Sequence, residues 1–140
     1  ILDLGPKALV VKKGEYGAVL FSNGGDVTRS YFFAPAYPLE KIADPTGAGD
    51  TFAGGFVGHL ARTGQTSPEA IRQAIVHGSV VASFTVEDFG VARLRTLTMA
   101  DIRARYEAFK RFTAFEVACP FLEGCERLRE RRAQEETNGA

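Results

Sequence analysis

The alternation of apolar and polar positions divides the chain into a strand-rich start and a helix-rich remainder. Ala8 to Lys13 ("ALVVKK") is a short β-branched apolar run of the kind that fills a strand buried on both faces of a parallel sheet. "GEYG" then turns the chain, and Ala18 to Ser22 ("AVLFS") reads as a second strand. Asn23 to Asp26 ("NGGD") is a hairpin signal, because Asn and Gly accept the positive φ of tight turns, so Val27 to Ala34 is the returning strand. Pro35 and Pro38 interrupt regular structure.

Helical spacing takes over beyond that point. One helix is predicted from Asp50 to Thr63, stopped by Gly64. A second opens at Ser67-Pro68-Glu69, with Ser67 as N-cap and Pro68 in the first helical position, and runs to about Thr85. Thr98 to Asp101 ("TMAD") has the form of a capping box with Asp in place of the usual Glu, and opens a third helix through about Phe112. From Glu123 onward charged residues dominate, which predicts a solvated helix or disorder over residues 117–140. Strands followed by helices, with a glycine-rich turn at one junction, predict an α/β layered domain over residues 1–116.

Composition narrows the function without naming it. The 140 residues are 45% hydrophobic and 24% charged, as in an ordinary globular domain. Lys+Arg and Asp+Glu both total 17, which argues against a broad nucleic-acid or acidic-membrane surface. No apolar run approaches the roughly 20 residues of a membrane helix. Cys119 and Cys125 match no zinc or redox spacing and read as free thiols in a reducing compartment, the cytoplasm. The chain opens on Ile1 without a methionine, which points to a piece of something longer.

The candidate chemistry lies at the start of the first helix, in "ADPTGAGDTFAGGFVGHLA" (Ala43 to Ala61). Pro45 keeps Asp44 extended, and Gly47 and Gly49 let a bulky anion approach the backbone. The helix that follows aims its first N–H groups, and its partial positive charge, at that space. Such an end binds phosphate readily. A carboxylate there, Asp50, is favoured as an ion by roughly 0.3–1 kcal/mol. It is placed to take a proton from an attacking hydroxyl while the N–H groups stabilise charge on a phosphoryl group. Asp50, Gly54, Gly58 and Ala61 share a helix face almost bare of side chains, opposite the bulky Phe52, Phe56 and Leu60. From spacing alone, a purely structural Asp50 that stabilises the helix start is equally good.

The whole string changes the balance. "DPTGAGDTFAGGFV" (Asp44 to Val57) resembles the C-terminal signature of the ribokinase-like, phosphofructokinase-B type carbohydrate kinases. "KKGEYG" (Lys12 to Gly17) resembles that family's nucleotide-binding turn, and "ASFTVEDFG" (Ala82 to Gly90) its late helix and loop beside the nucleotide. The similarity spans about Ala8 to Phe112. It implies the C-terminal half of a three-layer α/β/α ribokinase-like fold, and transfer of the γ-phosphate of ATP to a hydroxyl of a sugar or nucleoside. Asp50 would be the catalytic base, with Gly47, Ala48 and Gly49 as the anion hole. Lys12, Gly14, Gly17, Gly49 and Ser79 would lie along the nucleotide, although some members carry a threonine where Lys12 stands.

The resemblance also implies Mg2+ with the nucleotide, and a potassium-like ion at Asp44, Thr46, Thr85, Asp88 and Gly90. Leu94 falls where some members supply a side-chain oxygen, and a capped loop without an ion remains the alternative. His77 and His59 read as packing residues, and Tyr16 as either a flank of the nucleotide or a solvent-facing ring. No N-x-x-E occurs, the motif that organises magnesium in the missing N-terminal half. The piece alone is therefore expected to be inactive. The resemblance allows a homodimer of the full-length protein, since relatives often pair through an N-terminal lid, and leaves the oligomeric state open. The competing reading is a non-catalytic nucleotide-binding or regulatory module of the same fold.

Overall fold

The computed structural model describes residues 1–23 and 31–114. Three strands, β1 (Ala8–Lys12), β2 (Ala18–Ser22) and β3 (Tyr31–Ala34), form one sheet in the order β1-β2-β3. Both pairings are antiparallel, with Val10 opposite Leu20 and Leu20 opposite Phe32. This corrects the expectation of a parallel strand at Ala8 to Lys13. A 3₁₀ turn at Gly14–Tyr16 sends the chain straight back, and Val11 and Lys12 are exposed rather than buried on both faces. An apolar β-branched run looks the same in either kind of sheet when it is short. Gly24 to Asp26 of the expected hairpin turn, and Val27 to Ser30 of the returning strand, lie outside the described residues, as do Cys119, Cys125 and the charged tail.

Four helices follow: α1 (Ala48–Thr63), α2 (Pro68–Thr85), α3 (Ala92–Arg95) and α4 (Met99–Thr113). The caps form where local chemistry places them. Gly64 closes α1 in the left-handed conformation, φ 64°, with its N–H on Leu60 O. Ser67 Oγ accepts from Ala70 N at 3.2 Å. Thr98 and Asp101 make a reciprocal capping box, Asp101 N donating to Thr98 Oγ1 at 3.2 Å and Thr98 N to Asp101 Oδ2 at 3.0 Å.

The core has two parts. Ala18, Leu20, Ala34, Phe52 and Ile75 join the inner sheet face to α1 and α2. Val80, Phe84 and Phe109 join α2 to α4. The bare face of α1 does not carry the packing: Gly54 and Gly58 are exposed and have open space beside them. The two long helices approach instead at Gly55 and Gly78. A Cβ on Gly78 would lie 2.8 Å from Phe52 O, and one on Gly55 would lie 3.2 Å from Gly78 Cα. The two glycines at this crossing let α1 and α2 approach closely.

Candidate functional site

The start of α1 is set by Gly47. It adopts φ 81°, a left-handed conformation that a side chain disfavours, and stands as the N-cap. The helix therefore begins at Ala48, two residues earlier than expected, and places Gly49 and Asp50 in its first turn. Ala48 N donates to Pro45 O at 3.2 Å and Thr51 N to Gly47 O at 2.9 Å. Among the described residues, the N–H groups of Gly47, Gly49 and Asp50 have no backbone acceptor. They are the free donors that a helix start presents to an anion.

β1 delivers a cation to the same place. Lys12 Nζ donates to Gly49 O at 3.0 Å, although both residues are exposed and 37 positions apart. An ammonium beside a helix N-terminus adds charge of the same sign as the macrodipole, and the Asp50 carboxylate in the same first turn is the opposing charge. The turn after β1 is held by Lys13 N on Gly17 O at 2.7 Å and Gly17 N on Gly14 O at 3.0 Å. It brings Gly14, Tyr16 and Gly17 over the same space.

These parts line one cleft of about 890 Å³, inside the roughly 300–1,000 Å³ of ligand sites. Lys12, Gly14, Gly17, Ala48, Gly49 and Ser79 all border it. Its apolar lining includes Tyr37, Leu39, Ile42, Ala82 and Val86. Ser79 is buried on α2, and Ser83, one turn on, joins the lining; sequence spacing did not single out Ser83. Asp50 is exposed and one residue beyond the lining set. Tyr16 lines the mouth and is 67% exposed, so its ring faces both cleft and solvent.

The five residues expected around a monovalent ion divide. Thr46 N donates to Asp44 Oδ1 at 2.9 Å. The Thr46 side chain, its N–H and the Gly90 N–H together hold the Asp44 carboxyl below the usual carboxylate range. Asp44, Thr46 and Gly90 therefore meet. Ala43 N and Asp44 N reach Val86 O at 2.8 and 3.4 Å, which docks this loop on the end of α2. Thr85 is buried and spends its hydroxyl on Thr51 Oγ1 at 2.9 Å, while Asp88 Oδ1 accepts from Phe89 N at 2.8 Å on the surface. Leu94 packs against the Val80, Phe84 and Phe109 cluster and brings no oxygen. No group of three or more His, Cys, Asp or Glu that could hold a metal occurs among the described residues. His59 and His77 face each other across α1 and α2, ring centroids 5.1 Å apart, away from the cleft lining. No helix among the described residues is long and apolar enough to cross a membrane.

The chain belongs to the pfkB family of carbohydrate kinases, whose pattern matches residues 1–97. It is 35% identical over 112 residues to a nucleoside kinase of Methanothermobacter thermautotrophicus, covering 80% of this chain and 30% of that protein. Its fold is similar to that of the Methanocaldococcus jannaschii nucleoside kinase, an archaeal member of the ribokinase family (TM-score 0.58, 28% identity, 73% of this chain and 30% of the other). It is also similar to aminoimidazole riboside kinase from Salmonella enterica, solved with aminoimidazole riboside and an ATP analogue (TM-score 0.62, 26% identity, 74% and 33%). The fold is thus ribokinase-like α/β, and the chain spans about 30% of the length of these relatives.

Proposed function

We propose that this chain is the ATP-binding and catalytic part, over residues 1–116, of a kinase that phosphorylates a hydroxyl of a sugar or nucleoside. One observation carries the reading: Lys12, Gly14, Gly17, Gly49 and Ser79 border a single cleft that reaches the first turn of α1 at Ala48 and Gly49. ATP fits that cleft by volume and by chemistry, since a cation and a helix start line it together with apolar side chains. The Salmonella relative, solved with an ATP analogue, supports this assignment.

In the reaction the triphosphate lies toward the start of α1. Lys12 exchanges its bond to Gly49 O for a phosphate oxygen, a stronger charge-assisted partner. The Gly47 and Gly49 N–H groups, with Ala48 once its N–H leaves Pro45 O, cradle the transferred phosphoryl group. Asp50 accepts the proton of the substrate hydroxyl as that oxygen attacks the γ-phosphorus and the bond to the β-phosphate oxygen breaks. Mg2+ supplies charge neutralisation when bound with the nucleotide; the described residues hold no carboxylate cluster for it, so it is assigned to ATP and to the rest of the protein. A monovalent cation would lie by Asp44, Thr46 and Gly90, with carbonyl oxygens near Thr85 and Asp88.

The sugar or nucleoside pocket is assigned to the N-terminal part of such kinases that this chain does not span, so the isolated piece is inactive, and residues 117–140 form a charged tail. A homodimer of the full-length protein and a cytoplasmic location belong to the same proposal. The test is turnover of ATP by the full-length protein across a panel of sugars and nucleosides. Asp50→Asn should lower kcat by about 10²-fold or more, with ATP affinity retained. ATP binding without turnover of any panel member, and without response to Asp50→Asn, would favour a non-catalytic nucleotide-binding module.

A further inference from the structure

α4 lies wholly beyond residue 97, where the family pattern ends, yet it reaches back to the cleft. Arg105 is the residue that does so. Its side chain is 16% exposed, and its guanidinium lies 3.5 Å from the centroid of the Phe84 ring and 5.0 Å from that of Tyr37. Arg105 Nη2 donates to Glu87 Oε1 at 2.5 Å, and Nη1 to Ser83 Oγ at 3.0 Å. Ser83 and Tyr37 are both cleft residues. Tyr37 is further held by Phe109 and Phe112 of α4, at centroid distances of 6.3 and 5.4 Å.

The hydrogen bonds at Ser83 decide what it can offer a ligand. Its hydroxyl donates to Val80 O at 2.7 Å, so the proton is committed to the helix backbone. Arg105 occupies one lone pair of the oxygen. A hydroxyl has one donor and two acceptor sites, so a single acceptor site remains. Ser83 is buried, and the cleft is the open space beside it. A buried acceptor of this kind favours a ligand with an N–H to give and rejects one that presents another acceptor, because two facing lone pairs are both left unpaired.

From this arrangement, and resting on the nucleotide reading above, we infer that Arg105 is a positioning residue that fixes Ser83 as a hydrogen-bond acceptor for the exocyclic amine of the nucleobase. The cleft therefore selects an amino-bearing purine over its keto counterpart. Arg105 also supports the Tyr37 ring, which lines the cleft, through the cation–π contact.

The test compares ATP with ITP, which differs only by an oxygen in place of the 6-amine, in the full-length protein. The ratio of kcat/KM for ATP over ITP should be about three- to tenfold or more, the contribution of one hydrogen bond and the avoided mismatch. Arg105→Met and Ser83→Ala should each bring the ratio close to one, whereas Arg105→Lys, which retains charge but loses the two-pronged grip, should fall between. A purely structural Arg105 would lower both nucleotides equally and leave the ratio intact, which overturns the inference. Equal use of ATP and ITP by the unmutated protein also overturns it. If no phosphoryl transfer is seen, calorimetric binding of ADP against IDP reads the same ratio. Binding of neither overturns the nucleotide reading itself, and with it this inference. Ser83→Ala keeps the test decisive if Arg105→Met does not fold.

Discussion

Lys12 and Gly49 are joined by a 3.0 Å hydrogen bond from the ammonium to the carbonyl oxygen, tying the end of β1 to the first turn of α1. The bond runs against the helix dipole, since a cation is best placed at a C-terminus. A Cβ on Gly49 would sit 3.0 Å from the same nitrogen, so the two residues are in close contact. Stability is a poor explanation for such an arrangement, because an exposed charge contact contributes little. The nucleotide site proposed above would make use of it, by giving the ammonium a phosphate oxygen.

Lys12→Met in the full-length protein should therefore raise the KM for ATP about tenfold or more, the value of one charge-assisted bond to phosphate. The melting temperature without nucleotide should change little. The wild-type KM for ATP should also rise with salt more steeply than the mutant's, because the lost contact is electrostatic. An unchanged KM would remove Lys12 from the site.

The capping box at α4 offers a local test. Thr98 and Asp101 satisfy each other's backbone donors, and the bonds from Thr98 hold the Asp101 carboxyl below the usual carboxylate range. A carboxyl whose folded value is depressed contributes stability above its unfolded value and loses it as pH falls through the folded one. Thr98→Ala should cost about 1 kcal/mol in urea unfolding near neutral pH. The cost should shrink at acid pH, where Asp101 is protonated in both proteins. A cost that stays constant down to the acid limit would show that the box contributes nothing through charge.

These two cases mark what the sequence makes legible. Caps depend on residues three or four apart, so Ser67, Thr98 and Gly64 could be read directly, and the helix from Pro68 to Thr85 ends where its spacing ends. The helix start inside the Asp44 to Val57 string could be read to within two residues, because its glycines and acid are close together in sequence. Strand direction could not, because Val10 and Val11 look alike beside a parallel or an antiparallel neighbour, and the reversal depends on the backbone of Gly14 to Gly17. The Gly55–Gly78 crossing and the Arg105–Ser83 bond, 22 residues apart, depend on how helices meet. Pattern along one helix carries no record of that. The solvent-facing Gly54 and Gly58 show the limit, since a bare face proved to be an exposed face and the packing fell one residue away.

His77 makes stability depend on pH. Burial and the neighbouring His59 push its imidazole below the ordinary value, with a hydrogen bond to its own backbone acting the other way and Arg62 adding a smaller lowering. His59 stands 5.1 Å away across the helix pair. The unfolded chain thus takes up a proton before the folded one does. Stability from this residue is complete above the ordinary imidazole value, roughly 6.5, and is lost as pH falls through it toward the lower folded value. Melting of the full-length protein should drop between about pH 7.5 and 5.5, and His77→Gln should flatten that drop. Parallel slopes in the two proteins would assign the acid sensitivity elsewhere.

Gly17 is the position where a single methyl group should do most harm. Its φ of 102° already disfavours a side chain, and an added Cβ would lie 2.1 Å from Ala34 O and 2.6 Å from Pro35 C. Both obstacles are backbone, at the end of β3, and neither can swing aside as a side-chain tip would. Relief requires β3 to move from β2, yet Ala18 is paired with Ala34 and both are buried. Gly14 has the same sign of φ, at 59°, but open space around it. The two glycines of one turn therefore separate strain from collision. Gly14→Ala should cost about 1 kcal/mol, the penalty of a left-handed residue, while Gly17→Ala should cost about 3 kcal/mol or more, strain and overpacking together. Urea midpoints of the two variants in the full-length protein decide it. Equal midpoints would mean that β3 yields freely, and that the turn over the cleft is less firmly held than its hydrogen bonds indicate.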